Sequence, residues 1–200
     1  LEKTTLISSP ENRYRGHQLG YRPKTNAYDA WTKEQYATYI EDLILFGANG
    51  IEILPPRTDD DRDGPLLKYD PLEMMVYLSE TISRMYLDVW IWYPNMGDDY
   101  ASTRIKDEEL AERDDIFRRL PHIDHLFIPG GDPGEMEPDE LFAWTARIAG
   151  LLNRYHPQAK IWLSPQSFRE QKKWIDGFIE NVCKKPAWLG GVVFAPWVRM

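Results

Sequence analysis

The chain has 200 residues, 42% of them hydrophobic, and a formal net charge of −8. That is apolar material for one sizeable core, while no window approaches the roughly 18 unbroken apolar residues of a membrane span, so no membrane partner is expected. Lys and Arg are scattered among the acids with no basic stripe, which argues against nucleic acid because phosphate contacts need clustered cations.

Residues 1–12, "LEKTTLISSPEN", read as a lead-in or linker. They lack the cationic-then-apolar build of a signal peptide, and a removed signal would leave no trace, so the compartment stays open, secreted or periplasmic included. "YRGHQLGYR" (14–22) is expected to form a first strand, although it is less apolar than the later ones. Five short apolar runs follow: "GIEILPP" (50–56), "LDVWIWYPN" (87–95), "HLFIPGG" (125–131), "AKIWLSPQ" (159–166) and "GGVVFAPW" (190–197). Their length and β-branched or aromatic content predict buried strands.

Between the runs, apolar residues recur at helical spacing, as in Tyr36, Tyr39, Ile40, Leu43 and Ile44, or in Leu141, Phe142, Thr145, Ile148, Leu152 and Tyr155. Helix borders are legible as well. Thr32 with Gln35, and Asp70 with Pro71 and Glu73, supply N-cap oxygens, an N1 proline and N3 groups, and Gly47 suits a C′ position. The strand-to-strand repeat of roughly 30 to 37 residues is the size of a βα unit with a crossover helix, which makes neighbouring strands parallel.

Pro55, Pro94, Pro129, Pro165 and Pro196 each end an apolar run. Proline donates no ladder hydrogen bond, so these five positions mark the C-terminal ends of strands. An open doubly wound sheet is disfavoured because "RGHQLGYRP" contains neither G-x-G-x-x-G nor G-x-x-x-x-G-K-[ST]. The expected fold is α/β, an incomplete TIM-type (β/α)8 barrel of about six βα units occupying residues 13–200, with its C-terminal part lying beyond Met200.

In such a barrel chemistry sits where the strands end. The residues expected there are His17, Gln18, Tyr21 and Arg22 after strand one, Arg57 with Asp59 to Asp61 after strand two, and Tyr93 and Asn95 after strand three. Asp132 and Glu135 follow strand four, Gln166 strand five, and Trp197 and Arg199 strand six. Carboxylates for acid–base work, amides and Arg for hydroxyls, and aromatics for an apolar ring face form the inventory of a carbohydrate site. Eight Trp and eleven Tyr agree with stacking surfaces.

Asp132 and Glu135 are the catalytic candidates, since the glycines around them allow a tight turn close to a ligand. Their structural alternative is a turn cap and an acidic first helical turn. Glu52, inside a strand run, either points into the barrel near the site or pairs with an Arg. "RTDDDRDG" (57–64) lacks the Gly and Glu positions of an EF-hand loop and reads as a solvated acidic loop. Trp92 and Trp162 read as core, and Trp197 as a stacking residue.

His122, His125 and His156 have no metal-ligand spacing, and neither metal nor cofactor is expected. The single cysteine, Cys183, forms no internal disulfide. Nothing assigns an oligomeric state.

With "FGANGIEILPP" and "FIPGGDPGEMEPDELFAW", the chain resembles the catalytic barrel of glycoside hydrolases over roughly residues 13 to 197. It is most similar to the α-glucuronidases of family 67 and more loosely to the β-N-acetylhexosaminidases of family 20. The first resemblance implies a glutamate general acid in the loop after strand four, a role that Gly-Gly-Asp-Pro-Gly-Glu offers to Asp132 or Glu135, with base carboxylates on later strands. The second implies Gly-Gly-Asp-Glu, and here Pro133 replaces that Glu.

The resulting expectation is a glycoside hydrolase acting on glucuronic-acid-bearing or related saccharides. Glu135 is the acid, Asp132 orients or stabilises charge, and His17, Gln18, Tyr21, Arg22, Glu52, Tyr93, Asn95, Gln166 and Trp197 bind substrate. The alternatives are a non-catalytic carbohydrate-binding barrel, a hexosaminidase-like enzyme, or an open-sheet domain for a phosphorylated ligand.

Overall fold

Each apolar run becomes a strand with one face against the helices. A computed structural model of the protein describes residues 9–22, 27–57, 64–97, 99–129, 136–165 and 172–193. The strands are β1 (Gly16–Gln18), β2 (Gly50–Ile53), β3 (Asp88–Trp92), β4 (His125–Pro129), β5 (Lys160–Ser164) and β6 (Leu189–Val192). One helix lies in each crossover: α1 (Lys33–Leu45), α2 (Pro71–Arg84), α3 (Thr103–Arg119), α4 (Pro138–Tyr155) and α5 (Lys172–Cys183).

All neighbouring strands are parallel, and their order in the sheet is their order in the chain. A doubly wound sheet reverses its strand order at a switch point, and this one does not. The fold is therefore α/β with six consecutive strands of a TIM-type barrel.

The local signals act as their chemistry requires. Thr32 and Gln35 form a reciprocal capping box at the start of α1, and Gly47 follows that helix with φ +90°. Asp70 Oδ1 accepts from the N–H groups of Leu72 and Glu73, both at 3.0 Å, while Pro71 takes the first position of α2, where no N–H is needed.

Pro55, Pro94 and Pro165 stand just past β2, β3 and β5, and Pro129 is the last residue of β4. Pro196 lies outside the described residues. The core fills the space between sheet and helices. Ile51, Ile53, Val89, Ile91, Leu126, Ile128, Ile161 and Leu163 meet Ile40, Leu78, Phe117, Leu141, Ile148 and Leu152 there, all buried.

Candidate functional site

Because side chains alternate along a strand, the residues between those core positions lie on the opposite, inner face. The register aligns them in rows. Gln18, Glu52, Trp90 and His125 are successive partners across β1 to β4, and Trp92, Phe127, Trp162 and Gly191 across β3 to β6. Trp92 and Trp162, expected in the core from sequence, are instead half-buried on this inner face.

The first row carries the polar group. Gln18 Nε2 donates to Glu52 Oε1 at 2.6 Å. Glu52 points inward and has an amide partner rather than an Arg, and no ion pair to it occurs among the described residues. Burial pushes its carboxyl up to about 7, against the opposing hydrogen bond from Gln18. Glu52 is therefore a carboxyl group able to hold or release a proton near neutrality.

The aromatic groups are seated on glycines. A Cβ at Gly16 or Gly50 would run into the Trp90 ring, and one at Gly190 or Gly191 into the Trp162 ring. The two indoles flank His125 and Phe127, with Trp90 5.6 Å from Phe127 and Trp162 5.6 Å from His125 between ring centroids. Trp162 Nε1 donates to His125 Nδ1 at 3.0 Å. Tyr14 meets Trp90, His125 and Trp162 edge-on. Together with Glu52 these groups line a pocket of about 220 Å³.

The expected substrate-binding residues divide between the two faces of the sheet. Gln18 and Glu52 come together on the inner face, and the Arg22 guanidinium lies 5.8 Å above the Trp92 ring at the end of β3. His17 alternates outward, its ring 5.8 Å from Tyr39 of α1. Tyr21 is buried beside Tyr36, and its hydroxyl accepts from the N–H groups of Lys68 and Tyr69, both at 2.8 Å, which fixes the approach to α2.

Tyr93 and Asn95 are fully buried toward the helices. The Arg113 guanidinium sits 4.3 Å over Tyr93, and Asn95 Oδ1 accepts from Trp144 Nε1 at 2.9 Å. The catalytic candidates Asp132 and Glu135 lie outside the described residues, as do Gln166, Trp197, Asp59 to Asp61 and Arg199.

A second set of residues, not singled out from sequence, holds the segment after β3. Glu109 on α3 accepts from the Met96 N–H at 2.6 Å and from the Tyr100 hydroxyl. It also pairs with Arg113, whose other Nη donates to the Pro94 carbonyl at 2.9 Å. One turn away, Glu112 binds Arg57 beyond β2 at 2.7 Å. Helix α3 thereby ties two adjacent strand ends by charged groups. Helical spacing alone marks Glu109, Glu112 and Arg113 as neighbours, but nothing local shows that they turn toward the sheet.

No protein-family model and no curated protein matches the sequence. Solved structures match the fold. An exo-β-1,4-mannosidase from Opitutaceae bacterium strain TAV5 superposes with a TM-score of 0.59 at 12% identity, over 80% of this chain and 33% of that one. GH5_18 from Streptomyces cattleya, solved with GlcNAc, gives 0.55 at 11%, over 80% and 47%. An endo-β-1,4-mannanase from Thermotoga petrophila gives 0.52 at 12%, over 82% and 46%.

The chain thus spans a third to about half the length of these glycoside hydrolases. At such identity the likeness establishes the barrel fold, and the finer resemblance to families 67 and 20 gains no support from it.

Proposed function

We propose that this chain forms the site-bearing part of a glycoside hydrolase that cleaves O-glycosidic bonds by carboxylate acid–base catalysis. The observation that carries the reading is position. In the sequence Asp132 and Glu135 come three and six residues after Pro129, the last residue of β4, and the segments that follow strands are where parallel barrels carry their chemistry. The aromatic inner face and the glycoside hydrolases among the fold neighbours support it.

Glu135 is the general acid that protonates the leaving oxygen, and Asp132 orients the substrate or stabilises charge at the anomeric carbon. Glucuronic acid as the substrate unit rests on the sequence resemblance alone, with Arg22 as a cation suited to its carboxylate.

The test is hydrolysis by the full-length protein of aryl β-mannosides, β-N-acetylglucosaminides and α-glucuronides, wild type against Glu135→Gln. Loss of a general acid lowers kcat/KM by about 100-fold or more. An unchanged kcat/KM overturns the assignment. A second reading, a barrel that holds sugar without cleaving it, is favoured by the predominance of aromatic rings among the groups lining the described inner face. It is the outcome if the wild type binds these glycosides and hydrolyses none.

A further inference from the structure

We infer that Trp174 on α5 is a positioning residue for the segment that joins β4 to α4, and through it for Glu135. The indole acts on the backbone next to the proposed acid, so its role rests on the acid–base reading above and names the group that sets where the acid stands.

The start of α4 lacks the local support that the first two helices have. Thr32 and Asp70 cap α1 and α2 with their own side chains, whereas Glu137, the N-cap of α4, makes no side-chain cap bond. Neighbouring helices hold this end instead. Trp174 Nε1 donates to the Met136 carbonyl at 3.1 Å. Asn181, about two turns further along α5, donates to Asp139 Oδ1 at 2.7 Å. Gly177 lies between them, and a Cβ there would stand 3.4 Å from Cγ of Pro138, so α5 approaches the first residue of α4 at contact distance. From the other side Lys106 on α3 reaches Glu140 at 3.2 Å.

The bond from Trp174 is shielded from water. Trp174, Met136 and Phe178 are all buried, and the indole stacks on Phe178 with 5.3 Å between centroids and 12° between planes. Breaking a buried N–H···O bond leaves both groups unpaired away from water, so the carbonyl is held firmly. Met136 is fixed twice, by its side chain in the core and by its carbonyl on the indole.

The chain carries this to the acid. Glu135 directly precedes Met136, and consecutive Cα atoms are about 3.8 Å apart across a trans peptide, so a fixed Met136 confines the Glu135 backbone. Asp132 stands three residues from Pro129 and four from Met136, midway between the two ends. Of the two carboxylates, Glu135 is the one whose place depends on the anchor from α5. A displacement of about 1 Å at a reacting group costs on the order of 100-fold in rate.

A displaced acid has a chemical signature. Glu135 passes its proton to the leaving oxygen as the bond to the anomeric carbon breaks. A phenolate needs that proton, while a dinitrophenolate leaves as a stable anion. Loss of acid placement therefore slows a phenyl glycoside and spares its dinitrophenyl counterpart, whereas loss of folded protein slows both alike.

The experiment compares kcat and KM of the full-length protein, wild type against Trp174→Phe, on phenyl and dinitrophenyl β-mannosides, β-N-acetylglucosaminides and α-glucuronides. Phe keeps the stack on Phe178 and removes the N–H. On the phenyl glycoside that the wild type hydrolyses, kcat is expected to fall about tenfold or more with KM within about twofold, and on the dinitrophenyl glycoside to change by less than about threefold. Ile82→Val, a change in the buried core on α2, is expected to leave the ratio of the two rates at its wild-type value. Hydrogen exchange in peptides spanning 129–137 is expected to be faster in Trp174→Phe, with exchange in α2 unchanged. If Trp174→Phe fails to fold, Asn181→Leu, which removes the donor to Asp139, carries both measurements with the same expected signs.

Equal losses on the two glycosides, or none on either, overturn the inference, as does unchanged exchange over 129–137. Glu135→Gln separates this result from the catalytic reading. Loss on the phenyl glycoside in Glu135→Gln without loss in Trp174→Phe sinks the positioning role alone. A wild type that hydrolyses none of these glycosides, with exchange still faster in Trp174→Phe, sinks the catalytic reading alone.

Discussion

The indole of Trp162 on β5 donates its N–H to Nδ1 of His125 on β4 at 3.0 Å. That bond assigns the tautomer, since Nδ1 must be unprotonated to accept, which leaves the hydrogen on Nε2, 3.9 Å from Asp88 Oδ2.

Acid stability should report this arrangement. Burial, partly offset by Asp88 and Asp124, holds His125 below 6.5, so the folded state takes up its proton later than the unfolded chain. The resulting stability is present above pH 6.5 and is lost as pH falls through the folded value. His156, also depressed by burial and bonded through Nε2 to the Phe117 carbonyl, acts in the same window. Urea unfolding between pH 7 and 5 should therefore decline less steeply in His125→Gln than in wild type. An identical slope would show that His125 does not contribute.

The two ion pairs of α3 should differ sharply. Arg113 and Glu109 are buried, so Arg113→Met strands a carboxylate and should cost about 3–5 kcal/mol, much of it regained in Glu109→Gln/Arg113→Met. Arg57 and Glu112 are partly exposed, and Glu112→Gln should cost no more than about 1 kcal/mol. Equilibrium denaturation of the three variants beside wild type checks both statements.

Glu52 makes a prediction of opposite sign. Its folded value of about 7 lies above that of a free Glu, so the native state holds the proton, and stability falls as pH rises through 7. Glu52→Gln should match wild type near pH 4 and exceed it by about 1–3 kcal/mol at pH 8. A constant difference across that range would refute a proton held at neutrality.

Gly50→Ala should disturb a ring rather than a turn. The added methyl meets the six-membered ring and Nε1 edge of Trp90, and overpacking of this kind costs about 1–3 kcal/mol. A shift in tryptophan emission should accompany the loss. Gly150→Ala on α4, where a Cβ meets nothing within 4 Å, is the control and should be neutral or slightly stabilising.

Much of the frame is local chemistry and was readable as such. Thr32, Asp70 and Pro71 start helices and Gly47 ends one, because caps and breakers act within a turn of themselves. Pro55, Pro94, Pro129 and Pro165 stand at strand ends for the same reason. Single-residue facing was less legible. Gln18 reaches Glu52 while the preceding His17 turns to Tyr39, and Trp92 faces inward while the following Tyr93 lies under Arg113. A strand end looks like one polar cluster in sequence, yet adjacent residues leave it in opposite directions.

The sequence by itself determined the α/β alternation, the parallel crossovers and the strand ends, including the position of Asp132 and Glu135 after the fourth strand, since each follows from short-range periodicity and backbone constraints. Only the tertiary structure decided that Glu52 would meet Gln18 rather than an Arg, that Trp90 and Trp162 would lie on glycines of neighbouring strands, and that Glu109 and Arg113 would hold the segment after β3. Those contacts join residues on different elements. They depend on sheet register and helix rotation, which the packing of the whole core sets and no local pattern encodes.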